Sequence, residues 1–287
     1  SNTKMIINGF TESQSNLMEG ILVFGGFASL ASELFLILAY KFVPAIRTFS
    51  MKLVLSLVYA DVLYTLSSYL YLFHDNPILC AVQGFLNKAA IFSGILWVVT
   101  FLWVSHIQIT EFRPHINIIY KKALTWNIIV SLTFPSLILL GQIFNLGVSY
   151  APMFFYCTAY PAVFQWAFVF IPLWILIIFS VILTFKNVYA LSKKYPEHDV
   201  SDYTKLFKYS LMLTMIWLTG TLNSAVNIIR GSPSYPLTLI NLIANTFMGV
   251  FNVLLYGKSV MNSIQKQRIT QRLRVAMIPK TAEFTYQ

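Results

Sequence analysis

Long apolar runs dominate the chain, and the short polar connections between them carry nearly all of its charged residues. A helix needs about 20 predominantly apolar residues to cross the hydrocarbon core of a bilayer. Seven runs are long enough, which predicts an all-α membrane protein built as a seven-transmembrane helix bundle. They cover residues 20–40, 53–73, 78–109, 123–143, 162–185, 210–229 and 236–256.

The two ends of the chain complete the predicted organisation. Residues 1–19 form an N-terminal segment, residues 20–257 form the seven-helix domain, and residues 258–287 form a C-terminal tail. Apolar side chains such as Val260, Met261 and Ile264 alternate with basic and amide side chains in this tail. That pattern is typical of an amphipathic helix lying on a membrane surface.

Composition agrees with a membrane protein. Of 287 residues, 57% are hydrophobic and only 10% are charged, whereas soluble domains carry about 25% charged residues. A net charge of +10 would suggest nucleic-acid binding in a soluble protein. Here the cations lie between the apolar runs, which favours contact with membrane lipid and excludes a nucleic-acid groove.

The distribution of Lys and Arg predicts the direction of the chain, because cytoplasmic connections are enriched in these residues. One set of connections holds only Lys4 and Arg230, and Lys88 lies inside a span. All other Lys and Arg residues lie in the opposite set or in the tail. We therefore predict a multi-pass plasma-membrane protein with its N-terminus outside and its C-terminus inside.

The two cysteines both lie on the predicted outer side. Cys80 opens the third span, and Cys157 lies in the connection before the fifth. Because the outer face is oxidising, a Cys80–Cys157 disulfide is predicted, with two free thiols as the alternative. The histidines lie at span ends or in connections without ligand spacing, so neither a metal, nor a cofactor, nor an enzymatic activity is predicted.

Three ionisable side chains lie inside predicted spans, where such groups are costly and usually functional. Lys88 has two interpretations. It is either an anchor for an anionic ligand in an outward-facing pocket, or a structural group that pairs with Asp61 or extends its ammonium to the interface. Glu33 and Asp61 form either a polar network that rearranges between two states, or a static clamp between helices.

Amide and aromatic side chains add to the predicted ligand-binding site around Lys88 and to the predicted polar network of Glu33 and Asp61. Asn252 and Tyr256 of the seventh span join Glu33 and Asp61 in the predicted polar switch network. In the sixth span, Asn223 and Asn227 lie one turn apart and face the same way. The predicted ligand-binding residues are Lys88, Trp217, Asn223, Asn227 and Arg230.

Several local motifs resemble those of rhodopsin-like G-protein-coupled receptors. The stretch Leu-Ser-Leu-Val-Tyr-Ala-Asp, ending at Asp61, resembles their Leu-x-x-Ala-Asp, and Trp126 matches the usual tryptophan of span four. The run from Asn252 to Tyr256 resembles Asn-Pro-x-x-Tyr without its proline. No Asp-Arg-Tyr ends the third span, and no proline follows Trp217.

The cyclic-AMP-receptor-like group of lower eukaryotes is a closer resemblance. Its sixth span has a Trp followed by apolar residues and an Asn, as from Trp217 to Asn223 here. A short proline-bearing loop follows, as in residues 231–236, and the seventh span ends in a run similar to the one from Gly249 to Tyr256. The resemblance implies a receptor that binds an extracellular ligand and signals to a heterotrimeric G protein.

This resemblance also implies a cytoplasmic surface for the G protein. The basic residues near the inner ends of the spans would face it, although membrane topology and contact with anionic lipid also explain such residues. They are Arg113, Lys121, Lys193, Lys194, Lys205 and Lys208.

Two other classes of membrane protein would show features that this sequence lacks. A transporter of a small solute would show internal repeats, and the sequence shows none. A retinal protein would carry a Lys in the seventh span, and residues 236–256 contain none.

Overall fold

The computed structural model describes residues 10–73, 76–110, 116–153, 156–194, 201–230 and 232–257, together with residues 261 and 265. Except for those two residues, the predicted amphipathic tail lies outside the described residues. The helices are α1 (Glu12–Phe42), α2 (Phe49–Tyr69), α3 (Pro77–Thr110), α4 (Ile116–Ile143), α5 (Ala162–Gln165, the π-helical turn Trp166–Phe170 and Ile171–Lys194), α6 (Ser201–Arg230), α7 (Tyr235–Thr246) and α8 (Met248–Gly257). The strands are β1 (Ser149–Met153) and β2 (Tyr156–Tyr160), and 3₁₀ turns cover Pro44–Ile46 and Leu70–Phe73.

Helix starts follow from local capping groups, which pair backbone N–H groups that lack a partner in the first turn. Thr11 and Gln14 form a capping box that begins α1 inside the predicted N-terminal segment. Thr48 accepts a hydrogen bond from the backbone of Met51 at the start of α2. The Asn76 side chain accepts two backbone N–H bonds at the start of α3.

Five helices, α1 to α5, are each long and apolar enough to cross a membrane. The pair α7 and α8 also qualifies if it is one span, bent by 48°. The described residues therefore contain five, or up to six, candidate membrane-spanning helices. Because α6, which covers the predicted sixth span, is not among them, a total of seven spans stays a prediction, as does the direction of the chain.

The centre of the bundle is α3, which packs against α2, α4, α5 and both strands. Its Phe92 is fully buried and stacks on Phe134 of α4, with ring centroids 5.1 Å apart. One and a half turns further along, Trp97 stacks on Tyr120 at 5.7 Å. Aromatic stacking therefore joins α3 to α4 at two levels.

The outer faces of the helices are strongly apolar. Large side chains are exposed in α1, α4 and α5, among them Phe24, Phe27, Trp126 and Ile175. Exposed apolar surface on this scale is unfavourable in water. It suits contact with the hydrocarbon chains of a bilayer.

A β-hairpin interrupts the otherwise helical fold, and the hydropathy pattern did not predict it. Strands β1 and β2 are antiparallel and lie between α4 and α5. The disulfide between Cys80 and Cys157 joins β2 to α3, which confirms the predicted pairing. The backbone N–H of Cys157 also donates to Oε1 of Gln83, at 2.6 Å. We call the end of the bundle that carries this hairpin the hairpin end.

The hairpin rests closely on α3. Tyr150 of β1 is buried against Gly84, and its hydroxyl donates to the backbone carbonyl of Pro135 at 3.2 Å. A Cβ atom added at Gly84 would overlap the Tyr150 ring. Only glycine lets the strand approach the helix this closely.

We predict that Gly84→Ala lowers stability by about 1–3 kcal/mol, because overpacking must displace the Tyr150 ring. The measurement is the unfolding temperature of the purified protein in detergent. Gly94→Ala, on the same helix, is the control, because its new Cβ would lie 3.7 Å from the nearest atom. Equal unfolding temperatures for the two variants would contradict the prediction.

Candidate functional site

A cavity at the hairpin end brings together side chains from the hairpin and five helices. Its empty space is about 440 Å³, a figure that includes open solvent at its mouth. We call it the Lys88 cavity. Its polar and aromatic lining includes Tyr64, Asn87, Lys88, Tyr156, Gln165, Trp217, Asn241 and Asn245.

The Lys88 side chain is only 4% exposed. Its Nζ atom lies 4.9 Å from the centre of the Tyr156 ring, a cation–π contact. Burial raises the pKa of the Tyr156 phenol to about 12, so this ring is neutral and supplies no negative charge. No carboxylate in the described part of the chain lies within 4.0 Å of the ammonium, so the predicted alternative of an ion pair with Asp61 is not formed.

Trp217 of α6 borders the same cavity. Its indole Nε1–H is buried and has no hydrogen-bond partner among the described residues. By contrast, the indole of Trp174 donates to Thr221 Oγ1 at 2.9 Å. Within the described residues, the Trp217 indole is therefore an unpaired donor in the lining that also holds Lys88.

A second cavity of about 480 Å³ adjoins the first and shares several of its lining residues. Asn223 lines this second cavity, and its Oδ1 accepts a hydrogen bond from Thr238 at 3.1 Å. Asn227 is half-buried and Arg230 is exposed, and neither borders the two cavities. The structure thus gathers Lys88, Trp217 and Asn223 at the hairpin end and leaves the other two predicted ligand residues apart.

A π-helical turn explains how Gln165, which the sequence pattern did not identify, reaches the cavity. The turn Trp166–Phe170 ends two residues before Pro172, which has no backbone N–H to donate. A π turn shifts the helical phase of the residues around it. As a result, Gln165, Val169 and Phe170 all line the Lys88 cavity.

The predicted switch network occupies the centre of the bundle. Nδ2 of Asn252 donates to Oδ2 of Asp61 at 2.5 Å. Glu33 is fully buried against Gly249, and neither of its carboxyl oxygens has a hydrogen-bond partner in the described ranges. Tyr256 is half-buried and packs against the apolar cluster around Val58.

Ser29 stabilises the break between α7 and α8, which was predicted as one continuous span. Its hydroxyl donates to the carbonyl of Thr246 at 2.6 Å and accepts from the N–H of Gly249 at 3.2 Å. Those two backbone groups would otherwise be unpaired in an apolar environment. Ser29 lies one turn before Glu33, so a polar stripe on α1 was a visible signal.

A further polar contact joins α3 and α5 at the end opposite the hairpin. The amide of Asn187, only 1% exposed, donates to the carbonyl of Leu102 at 2.8 Å. Its oxygen lies 2.9 Å from Nδ1 of His106. Because the amide nitrogen is the donor to Leu102, the oxygen must be an acceptor, and His106 Nδ1 carries a hydrogen.

The predicted G-protein-facing residues are only partly described. Lys121 of α4 and Lys193 of α5 are exposed at the end opposite the hairpin. Arg113 lies outside the described residues, as do the side chains of Lys194, Lys205 and Lys208.

Comparison with protein-family models finds no match, and no curated protein matches the chain. Within the ranges that the structure covers, no group of three or more His, Cys, Asp or Glu side chains is placed to hold a metal ion. The function of the chain is therefore inferred from the geometry of its polar groups.

We predict that Ser29→Ala lowers the unfolding temperature, because it leaves a buried N–H and a buried carbonyl unpaired, at a cost of about 1–3 kcal/mol for each such group. Ser180→Ala is the matched control. Ser180 is also fully buried, but its hydroxyl bonds only to Ile177 of its own helix. Equal unfolding temperatures in detergent for the two variants would contradict the role given to Ser29.

Proposed function

We propose that the chain is a plasma-membrane receptor that binds a small extracellular ligand in the Lys88 cavity and signals to a heterotrimeric G protein. In this proposal the bundle has seven spans, with α6 as the sixth and the pair α7 and α8 as the seventh. The hairpin end faces outward. The observation that carries the proposal is the Lys88 cavity itself, where a buried Lys without a carboxylate partner in the described part of the chain borders a polar and aromatic space.

Signalling requires that the ligand bind one arrangement of the bundle better than another, since only differential affinity shifts a population. Helices that can change their arrangement lie between the hairpin end of the bundle and the opposite end. Gly220 of α6 approaches Asn241 of α7 at the cavity, and α7 continues into the break that Ser29 stabilises. Asn252, beyond the break, contacts Asp61. Movement of α6 or α7 at the cavity would therefore act on the polar contacts at the centre.

The opposite end would open to the G protein. A cleft between α3, α5 and α6 requires α3 and α5 to separate, and the bonds from Asn187 to His106 and Leu102 hold them together. The exposed Lys121 and Lys193 give this end the basic character that suits an inner face.

The receptor proposal predicts that the purified chain accelerates nucleotide exchange on at least one member of a panel of Gα subunits in reconstituted vesicles. A transporter of a small solute is the alternative, favoured by the broken pair α7 and α8, because broken helices are typical of transporters. Solute uptake by the same vesicles, without exchange on any subunit, would overturn the receptor proposal.

We predict that Asn187→Ala raises ligand-independent exchange several-fold, because it removes the bonds that hold α3 to α5. Asn127→Ala is the control. Asn127 is equally buried and also bonds to α3, through the hydroxyl and the carbonyl of Ser93, but it joins α3 to α4. Equal exchange rates for the two variants would show that the Asn187 contact does not control opening.

A further inference from the structure

Two residues that line the Lys88 cavity carry a donor group without an acceptor among the described residues. The ammonium of Lys88 has no carboxylate partner within the described residues, and the indole N–H of Trp217 has no hydrogen-bond partner there. Buried donors are nearly always paired in native proteins, so each unpaired one calls for an explanation. A ligand that brings acceptors to this cavity would pair both.

The charge of that ligand follows from the charges around it. Among the described residues that line the cavity, Lys88 is the only Lys, Arg, Asp or Glu. The neutral Tyr156 ring compensates its charge only in part. One negative charge on the ligand would neutralise the site, whereas a doubly charged ligand would leave one buried charge unpaired, which is strongly unfavourable.

The other lining residues limit the rest of the ligand. Tyr156, Phe170 and Trp217 contribute ring surfaces, and Ile91 contributes an aliphatic one. The Nδ2 donor of Asn245 in α7 is already engaged, because it donates to the side-chain oxygen of Asn241 at 2.8 Å. Lys88 supplies the charge of the described lining, Trp217 has an indole N–H without a partner there, and the ring surfaces suit a flat apolar group.

We propose that the ligand of the Lys88 cavity is a small organic monocarboxylate with a flat apolar body. One carboxylate oxygen accepts from the Lys88 ammonium, and the other accepts from the Trp217 indole N–H. The apolar body packs against the ring surfaces. This inference rests on the proposed function, because it names the ligand class of the same cavity.

The test uses direct binding to the purified chain in detergent, by calorimetry, with three probes of similar size. Phenylacetate carries one charge, phenylacetamide carries none, and phenyl phosphate carries two. We expect phenylacetate to bind at least about tenfold more tightly than either of the others, a difference of about 1.4 kcal/mol. Equal affinities, tighter binding of phenyl phosphate, or no saturable binding of phenylacetate at millimolar concentration would overturn the proposal.

Variants assign the effect to the two donors. Lys88→Met should abolish the preference for phenylacetate over phenylacetamide, and it should fold, because it removes a buried charge without a counter-ion. Trp217→Phe keeps a ring but removes the N–H, and should weaken phenylacetate binding several-fold. Trp174→Phe is its control, because that indole donates to Thr221 and does not border the cavity. An unchanged preference in Lys88→Met, or equal effects of the two Trp variants, would overturn the assignment.

Binding is measured without a G protein, so the two proposals can fail separately. Loss of the carboxylate preference with intact nucleotide exchange would overturn only the ligand class. Carboxylate binding without exchange on any Gα subunit would keep the ligand class and overturn the receptor function.

Discussion

Backbone polar groups in a bilayer must find partners inside the protein, and this requirement explains most of the fold. Helical hydrogen bonds satisfy it locally through most of α1 to α5. At the break between α7 and α8, helical hydrogen bonding is interrupted. There Ser29 of α1 donates to the carbonyl of Thr246 and accepts from the N–H of Gly249. The same requirement explains the hairpin, whose Cys157 N–H is paired by Gln83 of α3. Side chains of neighbouring helices thus complete hydrogen bonding wherever a helix stops or bends.

The ionisable groups within the bundle divide between two separate places. Lys88 lies at the hairpin end, beside Tyr156 and Trp217, and does not pair with Asp61. Asp61 lies at the centre and is bonded to Asn252 instead. A charged group that is left without an internal counter-ion suits binding, whereas a carboxyl group already engaged with a neighbouring helix suits a change of arrangement. The proposed division between ligand site and switch rests on this separation.

Much of the helical framework could be predicted, because apolar length and capping are properties of the local sequence. The predicted third span, 78–109, differs from α3 by one residue at each end, since Asn76 and Pro77 mark its start. It was harder to predict which residues line the cavities. Lys88 and Trp217 were identified as unusual polar or aromatic residues in spans, but Gln165 was not, because its position depends on a π turn. Asn227 faces the same side of an ideal helix as Asn223, yet it borders neither cavity.

The sequence by itself determined that the protein belongs in a membrane and where most of its helices run, because hydrophobic length and residue type are sufficient for those conclusions. It predicted that Cys80 and Cys157 pair, and the structure confirmed it. Only the tertiary structure decided which polar groups meet. Ser29 and Gly249 are distant in the chain, and so are Lys88, Tyr156 and Trp217. Their contacts depend on how helices pack, on a bend in α7 and α8 and on a π turn in α5, and helical periodicity alone encodes none of these.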